Sequence, residues 1–207
     1  MTQVYLMRHA QKSKNITYLN NDENFLLKDE KRILSKDGQK QSELITELPF
    51  LQDVDIIFSS HYVRAISTVN YLAEKLNKPI LINNNFGERI KKGYENIILP
   101  PNFRMLQLID DNYKCDGGES RREVFERFYN ALMEIVIKYN GKKILISSHK
   151  NAISMLLMNW CENKLSNHLE CFYKNKIILN GHWDGSPEIF KLEFENDKLL
   201  NIEKIHY

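Results

Sequence analysis

Basic and imidazole side chains follow three short apolar runs of the sequence. Arg8 and His9 come directly after the first run. Arg64 stands shortly after the second run, and His149 follows the Ser-Ser pair that closes the third. Two guanidinium groups match the planar arrangement of phosphoryl oxygens, and the same pair would repel a divalent cation. The predicted chemistry is therefore phosphate binding without a metal ion.

The elements that must position these side chains alternate along the chain. The predicted buried strands cover residues 4–7, 55–58 and 144–146, and the predicted helices cover residues 35–48, 63–76, 119–139 and 151–160. This alternation indicates an α/β sheet with crossover connections. Ligands of such sheets bind beyond the carboxyl ends of the strands, so the basic side chains are expected at one edge. Arg64 is expected in the first turn of its helix, where free N–H groups favour an anion.

The rest of the chain contains a long irregular segment and a β-rich end. Residues 83–118 combine Asn, Pro and Gly breakers with scattered aromatic residues, and a loop of this length is usually functional. Strands are predicted at residues 176–179, 188–194 and 199–205, the last two joined by a turn through Asn196. Because no repeat or linker interrupts the chain, a single domain over residues 1–207 is predicted.

Composition and charge exclude several classes of protein. Lys plus Arg number 29 and Asp plus Glu 27, a balance that argues against a surface built for nucleic acid. The apolar runs are shorter than the ~18 residues of a membrane span, and the first residues lack the apolar region of a signal peptide. Cys115, Cys161 and Cys171 lack a CxxC spacing, so neither a disulfide framework nor a zinc site is indicated. The expected compartment is the cytoplasm, with no membrane partner.

Several short motifs stand in a fixed order along the chain. They are LMRHA at 6–10, LSKDG at 34–38 followed by Gln41, SSHYVRA at 59–65, FGE at 86–88, GGES at 117–120 and SSH at 147–149. In this order and spacing they resemble the motifs of the histidine phosphatases, also called the phosphoglycerate mutase-like superfamily. The resemblance spans nearly the whole chain. It implies a three-layer α/β/α sandwich with a mostly parallel central sheet.

The resemblance also implies a role for each basic residue. Neutral His9 would attack phosphorus and form a phosphohistidine that water then hydrolyses. Its other ring nitrogen needs a hydrogen-bond acceptor, expected to be a backbone carbonyl, to fix the tautomer. Arg8, Arg64 and a protonated His149 would hold the phosphoryl oxygens. No cofactor or metal ion is required by this chemistry.

The general acid and one polar contact are assigned less directly. From the residues alone, Glu88, Glu95, Asp116 and Glu119 are equivalent candidates for the acid that protonates the leaving group. The resemblance favours Glu88, and Glu119 is expected to cap its helix. Asn15 stands at the spacing of a family Asn, so it either contacts the phosphate or substrate or stabilises the turn after His9.

Three positions depart from the family pattern. Ala10 replaces the usual Gly and adds a methyl group near the phosphate. His61 stands at the usual Pro position, where it either contacts the substrate or lies at the surface, and the surface is favoured. Lys150 and Asn151 replace a Gly-Gly pair, so Lys150 either selects a polyanionic substrate or is only solvated.

The function implied by the resemblance is metal-independent hydrolysis of a small phosphorylated metabolite. Residues 83–118 are expected to cover the pocket and to determine which leaving group fits. Two alternatives remain open: a phosphoglycerate mutase-type phosphoryl transfer, and a non-catalytic phosphate-binding regulator. A metal-dependent hydrolase is disfavoured by the arginines. The sequence leaves a monomer and a homodimer equally open.

Overall fold

A central β-sheet organises the chain in a computed structural model that describes residues 1–15, 19, 24–165, 169–180 and 187–207. The strands are β1 (Thr2–Arg8), β2 (Ile56–Ser59), β3 (Ile80–Ile82), β4 (Lys143–Ser148), β5 (Glu162–Leu165), β6 (Leu169–Tyr173), β7 (Lys176–Leu179), β8 (Ile189–Glu195) and β9 (Lys198–Ile205). The helices are α1 (Phe25–Glu30), α2 (Lys36–Ile45), α3 (Val63–Lys75), α4 (Phe103–Ile109), α5 (Arg121–Lys138) and α6 (Lys150–Met158).

The central sheet has six strands in the order β3-β2-β4-β1-β8-β9. Its first four strands run parallel, whereas β8 is antiparallel to β1, and β9 is antiparallel to β8. The remaining strands form a separate antiparallel sheet in the order β5-β6-β7. The prediction of a mostly parallel central sheet is therefore confirmed.

Apolar side chains of the sheet face two separate cores. In β1, Val4 and Leu6 pack into a core with residues of α5 and α6. The intervening Tyr5 and Met7 pack on the opposite face with residues of α2 and α3. Alternation along a strand sends successive side chains to opposite faces, so both faces of β1 are apolar. The result is the predicted three-layer arrangement, with one helix layer on each side.

The helices and strands predicted from periodicity are present, and several shorter ones were missed. The missed elements are β3, β5, β6, α1 and α4. Helix α1 has six residues and buries none of them, so it carries no apolar periodicity to read. The prediction that Glu119 caps its helix is wrong, because Ser120 is the N-cap of α5 and forms a capping box with Glu123.

The LSKDG motif and Gln41 hold the loop that follows His9. The backbone N–H of Ser35 donates to the Gln11 carbonyl at 2.9 Å, and the N–H of Gln11 donates to Gln41 Oε1 at 2.9 Å. Ser35 is also the N-cap of α2, as predicted. A Cβ at Gly38 would lie 2.1 Å from the Gln11 carbonyl oxygen, so only glycine permits this packing.

None of the helices in the described ranges is both long and apolar enough to cross a bilayer.

Candidate active site

His9 lies at the carboxyl end of β1, as the topology predicted. Its backbone N–H donates to the Ser148 carbonyl at 2.9 Å, which joins it to the end of β4. Its Nδ1 lies 2.7 Å from the Ala10 carbonyl, the kind of backbone acceptor that the sequence analysis expected. Nδ1 must carry the proton in this contact, so Nε2 keeps its lone pair. Burial, followed by the positive charge of Arg64, lowers the pKa of His9 to about 3. His9 is therefore neutral, and its Nε2 is unprotonated.

Arg64 approaches the reactive nitrogen of His9 from the second position of α3. Its side chain is 1% exposed, and its Nε donates to His9 Nε2 at 3.3 Å. The guanidinium stacks over the Tyr62 ring, with its Cζ 4.4 Å from the ring centroid. Its Nη2 donates to Asp29 Oδ2 at 3.0 Å, and its Nη1 donates to the Asp29 carbonyl. The two nitrogens suited to phosphoryl oxygens therefore already bind an acidic residue.

Asp29 is a site residue that sequence reasoning missed. Its Oδ1 also accepts from Lys12 Nζ at 3.2 Å. Burial raises the pKa of Asp29, but the charges of Arg64 and Lys12 outweigh that effect and lower it overall. The carboxylate is thus held ionised against the guanidinium that a phosphoryl group would need.

The neighbour of Asp29 makes a second contact with the site. Glu30 Oε1 lies 3.4 Å from His61 Nε2. His61 is partly exposed, with its side chain 32% accessible, while its Nδ1 is buried. Helix α1 therefore meets the site through two successive carboxylates, one on Arg64 and one on His61.

His149 lies behind His9 and is completely buried. The two ring centroids are 5.1 Å apart, and His149 Nε2 lies 2.7 Å from Ser60 Oγ. Its Nδ1 is buried without a hydrogen-bond partner. Burial, with added repulsion from the charge of Arg64, holds the pKa of His149 well below its usual value. The expectation of a protonated His149 is therefore wrong for this structure, because the ring is desolvated among positive neighbours and no carboxylate contacts it in the described chain.

Arg8 forms an ion pair, and Asn15 takes part in a turn. An Arg8 Nη1 lies 3.6 Å from Glu188 Oε2. The charge of Arg8 is close enough to contribute to the low pKa of His9. Asn15 is exposed, and its backbone N–H donates to Ser13 Oγ at 3.1 Å. This contact involves the backbone of Asn15, so both predicted roles of its side chain stay predictions.

Glu88 is held at the amino terminus of α6, which begins directly after His149. Its Oε1 accepts from the backbone N–H groups of Arg89 at 2.8 Å and Ala152 at 3.3 Å. Its Oε2 accepts from Asn151 Nδ2 at 3.1 Å. These bonds place the Glu88 carboxylate at the end of β4, where His149 also lies.

The other acidic candidates are engaged elsewhere or exposed. Glu119 binds Arg127, with Nε to Oε1 at 2.6 Å, and its Oε2 accepts from the Ile90 N–H at 2.8 Å. Arg127 also donates to the carbonyl of Gly87 at 3.1 Å, so this ion pair supports the segment that carries Glu88. Glu95 and Asp116 are exposed. Arg127 is a supporting residue that no motif indicated.

Nothing in the described ranges forms a group of three or more His, Cys, Asp or Glu side chains placed to hold a metal ion. The arrangement instead combines a neutral imidazole, two arginines and a carboxylate. These are the groups with which an imidazole nucleophile could accept a phosphoryl group.

Comparison with family models identifies a match to "Histidine phosphatase superfamily (branch 1)" over residues 4–187. No curated protein sequence matches the chain. Solved structures similar to it include the mycobacterial glucosyl-3-phosphoglycerate phosphatase, with a TM-score of 0.67, 16% identity and coverage of 98% of this chain and 96% of that one.

Two further solved structures agree with this fold. YhfR of Bacillus stearothermophilus gives a TM-score of 0.68 at 15% identity, covering 97% of this chain and 95% of that one. A phosphoserine phosphatase mutant from Entamoeba histolytica, in complex with phosphoserine, gives 0.64 at 16% identity, covering 98% and 96%. At these identities the likeness concerns the fold.

Proposed function

Because the chain belongs to the histidine phosphatase superfamily and is a phosphomonoesterase, we propose that it hydrolyses a small phosphorylated metabolite through a phosphohistidine on His9, without a metal ion. The observation that carries this proposal is the state of His9. Its Nδ1 binds the Ala10 carbonyl, and its pKa of about 3 keeps Nε2 unprotonated at neutral pH. A neutral imidazole with one fixed tautomer is the form required of a nucleophile.

The first chemical step transfers the phosphoryl group to His9. Nε2 forms a bond to phosphorus while the bond between phosphorus and the ester oxygen breaks. Glu88 gives its proton to the departing oxygen, which leaves as an alcohol. In the second step Glu88 takes a proton from water, the water oxygen bonds to phosphorus, and the bond to Nε2 breaks. Phosphate is released and both residues return to their starting state.

The remaining groups position the phosphoryl oxygens. For Arg64 to do so, its Nη nitrogens must exchange Asp29 for the phosphoryl group, because they bind Asp29 in the structure. Ser60 donating to Nε2 of His149 would leave Nδ1–H as a buried donor without an acceptor, and a phosphoryl oxygen would satisfy it. Arg8 adds positive charge at the rim.

The names of structurally similar proteins support a small phosphorylated molecule as the substrate. Similar structures include phosphatases named for glucosyl-3-phosphoglycerate and for phosphoserine, both small phosphorylated molecules. We propose that residues 83–118, which carry Glu88 and α4, set the choice of leaving group in this chain. The whole described chain then acts as one catalytic domain.

Phosphate release and isomerisation measured together test this proposal. The protein is incubated in chelator with a panel of phosphomonoesters that includes both phosphoglycerates. We expect phosphate release without a metal ion, at a rate that exceeds isomerisation of phosphoglycerate. Faster isomerisation would favour a mutase. Tight phosphate binding without release from any ester would favour a phosphate-binding regulator.

A further inference from the structure

Arg89 is a buried cation that the proposed catalytic steps do not use. It follows Glu88 directly, and only 8% of it is exposed to solvent. Its Cζ lies 5.0 Å from the centroid of the Phe103 ring at the start of α4. Its Nε is sealed from solvent and has no hydrogen-bond partner. A buried guanidinium is costly unless an anion compensates its charge.

The carboxylates nearest to Arg89 are already engaged by other groups. Glu88 accepts hydrogen bonds from two backbone N–H groups and from Asn151, and Glu119 forms its ion pair with Arg127. Throughout the described chain, no carboxylate forms an ion pair with Arg89. Both acids attract its charge, yet burial lowers the pKa of Arg89 to about 10. The part of the chain that the structure describes therefore gives this cation no direct counter-ion.

Further positive charge surrounds Arg89. Arg104, the second residue of α4, lies close enough to lower the pKa of Arg89 by repulsion. Lys91 is repelled by both arginines, an effect that adds to burial in lowering its pKa. Neither Arg104 nor Lys91 forms an ion pair with a residue of the described chain. Arg89, Arg104 and Lys91 are therefore close enough to repel one another, and Arg89 directly follows Glu88, the proposed acid for the leaving group.

We propose that Arg89, assisted by Arg104 and Lys91, forms a second anion subsite that binds a carboxylate or phosphate group on the alcohol part of the substrate. This inference rests on the proposed function, since it places the subsite beside the acid that protonates the leaving group. The substrate class is then a phosphomonoester with two anionic groups. A planar carboxylate or a tetrahedral phosphate would offer two oxygens at once, which is how a guanidinium binds such groups.

Matched pairs of esters test the subsite. Phosphoglycolate and 2-hydroxyethyl phosphate differ by one carboxylate, and propane-1,3-diol bisphosphate and propane-1,3-diol monophosphate differ by one phosphate. The ratio of kcat/KM within each pair, measured in chelator, gives the preference for the second anion. We expect at least one pair to show a ratio of about tenfold or more for the wild type, in line with a charge-assisted hydrogen bond. The pair with the larger ratio identifies whether the anion is a carboxylate or a phosphate.

Variants locate the origin of the preference. Arg89→Gln should bring the ratio close to one, whereas the control Arg122→Gln, at an exposed position of α5, should keep the wild-type ratio. If Arg89 only stabilises the fold, Arg89→Gln should lower the Tm. The subsite predicts an equal or higher Tm without ligand, because an uncompensated buried charge is removed. A ratio near one for both wild-type pairs, or a ratio that survives Arg89→Gln, would overturn the inference.

Binding measured without turnover separates the two proposals. Calorimetric affinities of the same esters for His9→Ala, with and without Arg89→Gln, do not depend on hydrolysis. Hydrolysis of all the esters without preference for the second anion would reject the subsite and keep the phosphatase. A binding preference that Arg89→Gln removes would support the subsite even if the wild type hydrolyses nothing.

Discussion

Two buried arginines, Arg64 and Arg89, differ in whether an acidic side chain compensates their charge. Arg64 is 1% exposed and Arg89 is 8% exposed. Arg64 forms an ion pair with Asp29, with Nη2 to Oδ2 at 3.0 Å, whereas Arg89 forms none within the described residues. Burying an unpaired charge costs free energy that a bound anion can offset. To bind a phosphoryl group, Arg64 must therefore give up its contacts with Asp29, whereas Arg89 has no such contact to give up and is proposed to bind an anion of the substrate.

The difference also separates the two arginines in function. Arg64 contacts the proposed nucleophile, since its Nε lies 3.3 Å from His9 Nε2. Arg89 contacts Phe103 and directly follows Glu88, the proposed acid for the leaving group. We therefore expect loss of Arg64 to affect every substrate, and loss of Arg89 to affect only substrates with a second anion.

The same substitution at Arg64 and at Arg89 is the strongest test of the difference in function between them. Arg64→Lys should lower kcat by about 1,000-fold on all phosphomonoesters, because a point charge cannot replace the guanidinium fork around a phosphoryl group. Arg89→Lys keeps a positive charge and should reduce the preference for a second anion only severalfold. Steady-state kinetics on the matched esters measure both effects, and Tm values control for folding. Equal losses on all esters from the two variants would abolish the distinction.

Glu88 can be tested through the leaving group, the region shared with Arg89. Glu88→Gln should slow hydrolysis of alkyl phosphates by about 100-fold, because an alkoxide needs the proton of an acid to depart. The same variant should slow nitrophenyl phosphate much less, since nitrophenolate leaves without protonation. Rates for a series of leaving groups measure this contrast. A uniform loss across the series would assign the acid to another residue.

The ion pair of Arg64 predicts competition between Asp29 and phosphate. Asp29→Asn removes a charge that the phosphoryl group must displace, so inorganic phosphate should inhibit about fivefold more tightly. Inhibition constants for phosphate, measured for both proteins, test this expectation. The control is Glu30→Gln, which alters the neighbouring carboxylate on His61 and leaves Arg64 paired. Weaker inhibition in Asp29→Asn would show that Asp29 orients Arg64 instead of competing for it.

Stability against acid should also depend on Arg64 and not on Arg89. The folded pKa of His9 is about 3, below its ordinary value of 6.5, so the unfolded chain binds the proton first as the pH falls. The stability contributed by neutral His9 is complete above pH 6.5 and is lost as the pH falls toward 3. Between pH 7 and pH 4, the Tm of the wild type should fall by roughly 5 °C more than the Tm of His9→Ala. Arg64→Gln should lessen this dependence, because its repulsion of imidazolium is removed, and Arg89→Gln should leave it unchanged.

Local patterns were sufficient to predict the main elements and the edge of the sheet where the site lies. Apolar runs and helical periodicity placed β1, β2 and β4 and the helices after them, which brought His9, Arg64 and His149 together. The motif with Gly38 was recognised from sequence, but its reason, a close approach to the Gln11 carbonyl, required the packed structure.

The contacts that were missed join residues far apart in sequence. Asp29 and Arg64 are 35 positions apart, and Arg127 and Gly87 are 40 positions apart. No periodicity or spacing reports such pairs. The neutral state of His149 was missed for a related reason, since it follows from complete burial among positive groups and not from residue type. Burial and charge compensation are properties of the whole fold.

Detection of the phosphoenzyme tests the central claim most directly. The wild type is mixed with a phosphomonoester in chelator and stopped within milliseconds, and protein-bound phosphate is measured after treatment with acid or alkali. A phosphohistidine on His9 predicts bound phosphate that is lost in acid and retained in alkali, and that is absent from His9→Ala. Phosphate release by the wild type without any bound phosphate, or an equal amount of bound phosphate on His9→Ala, would contradict the account.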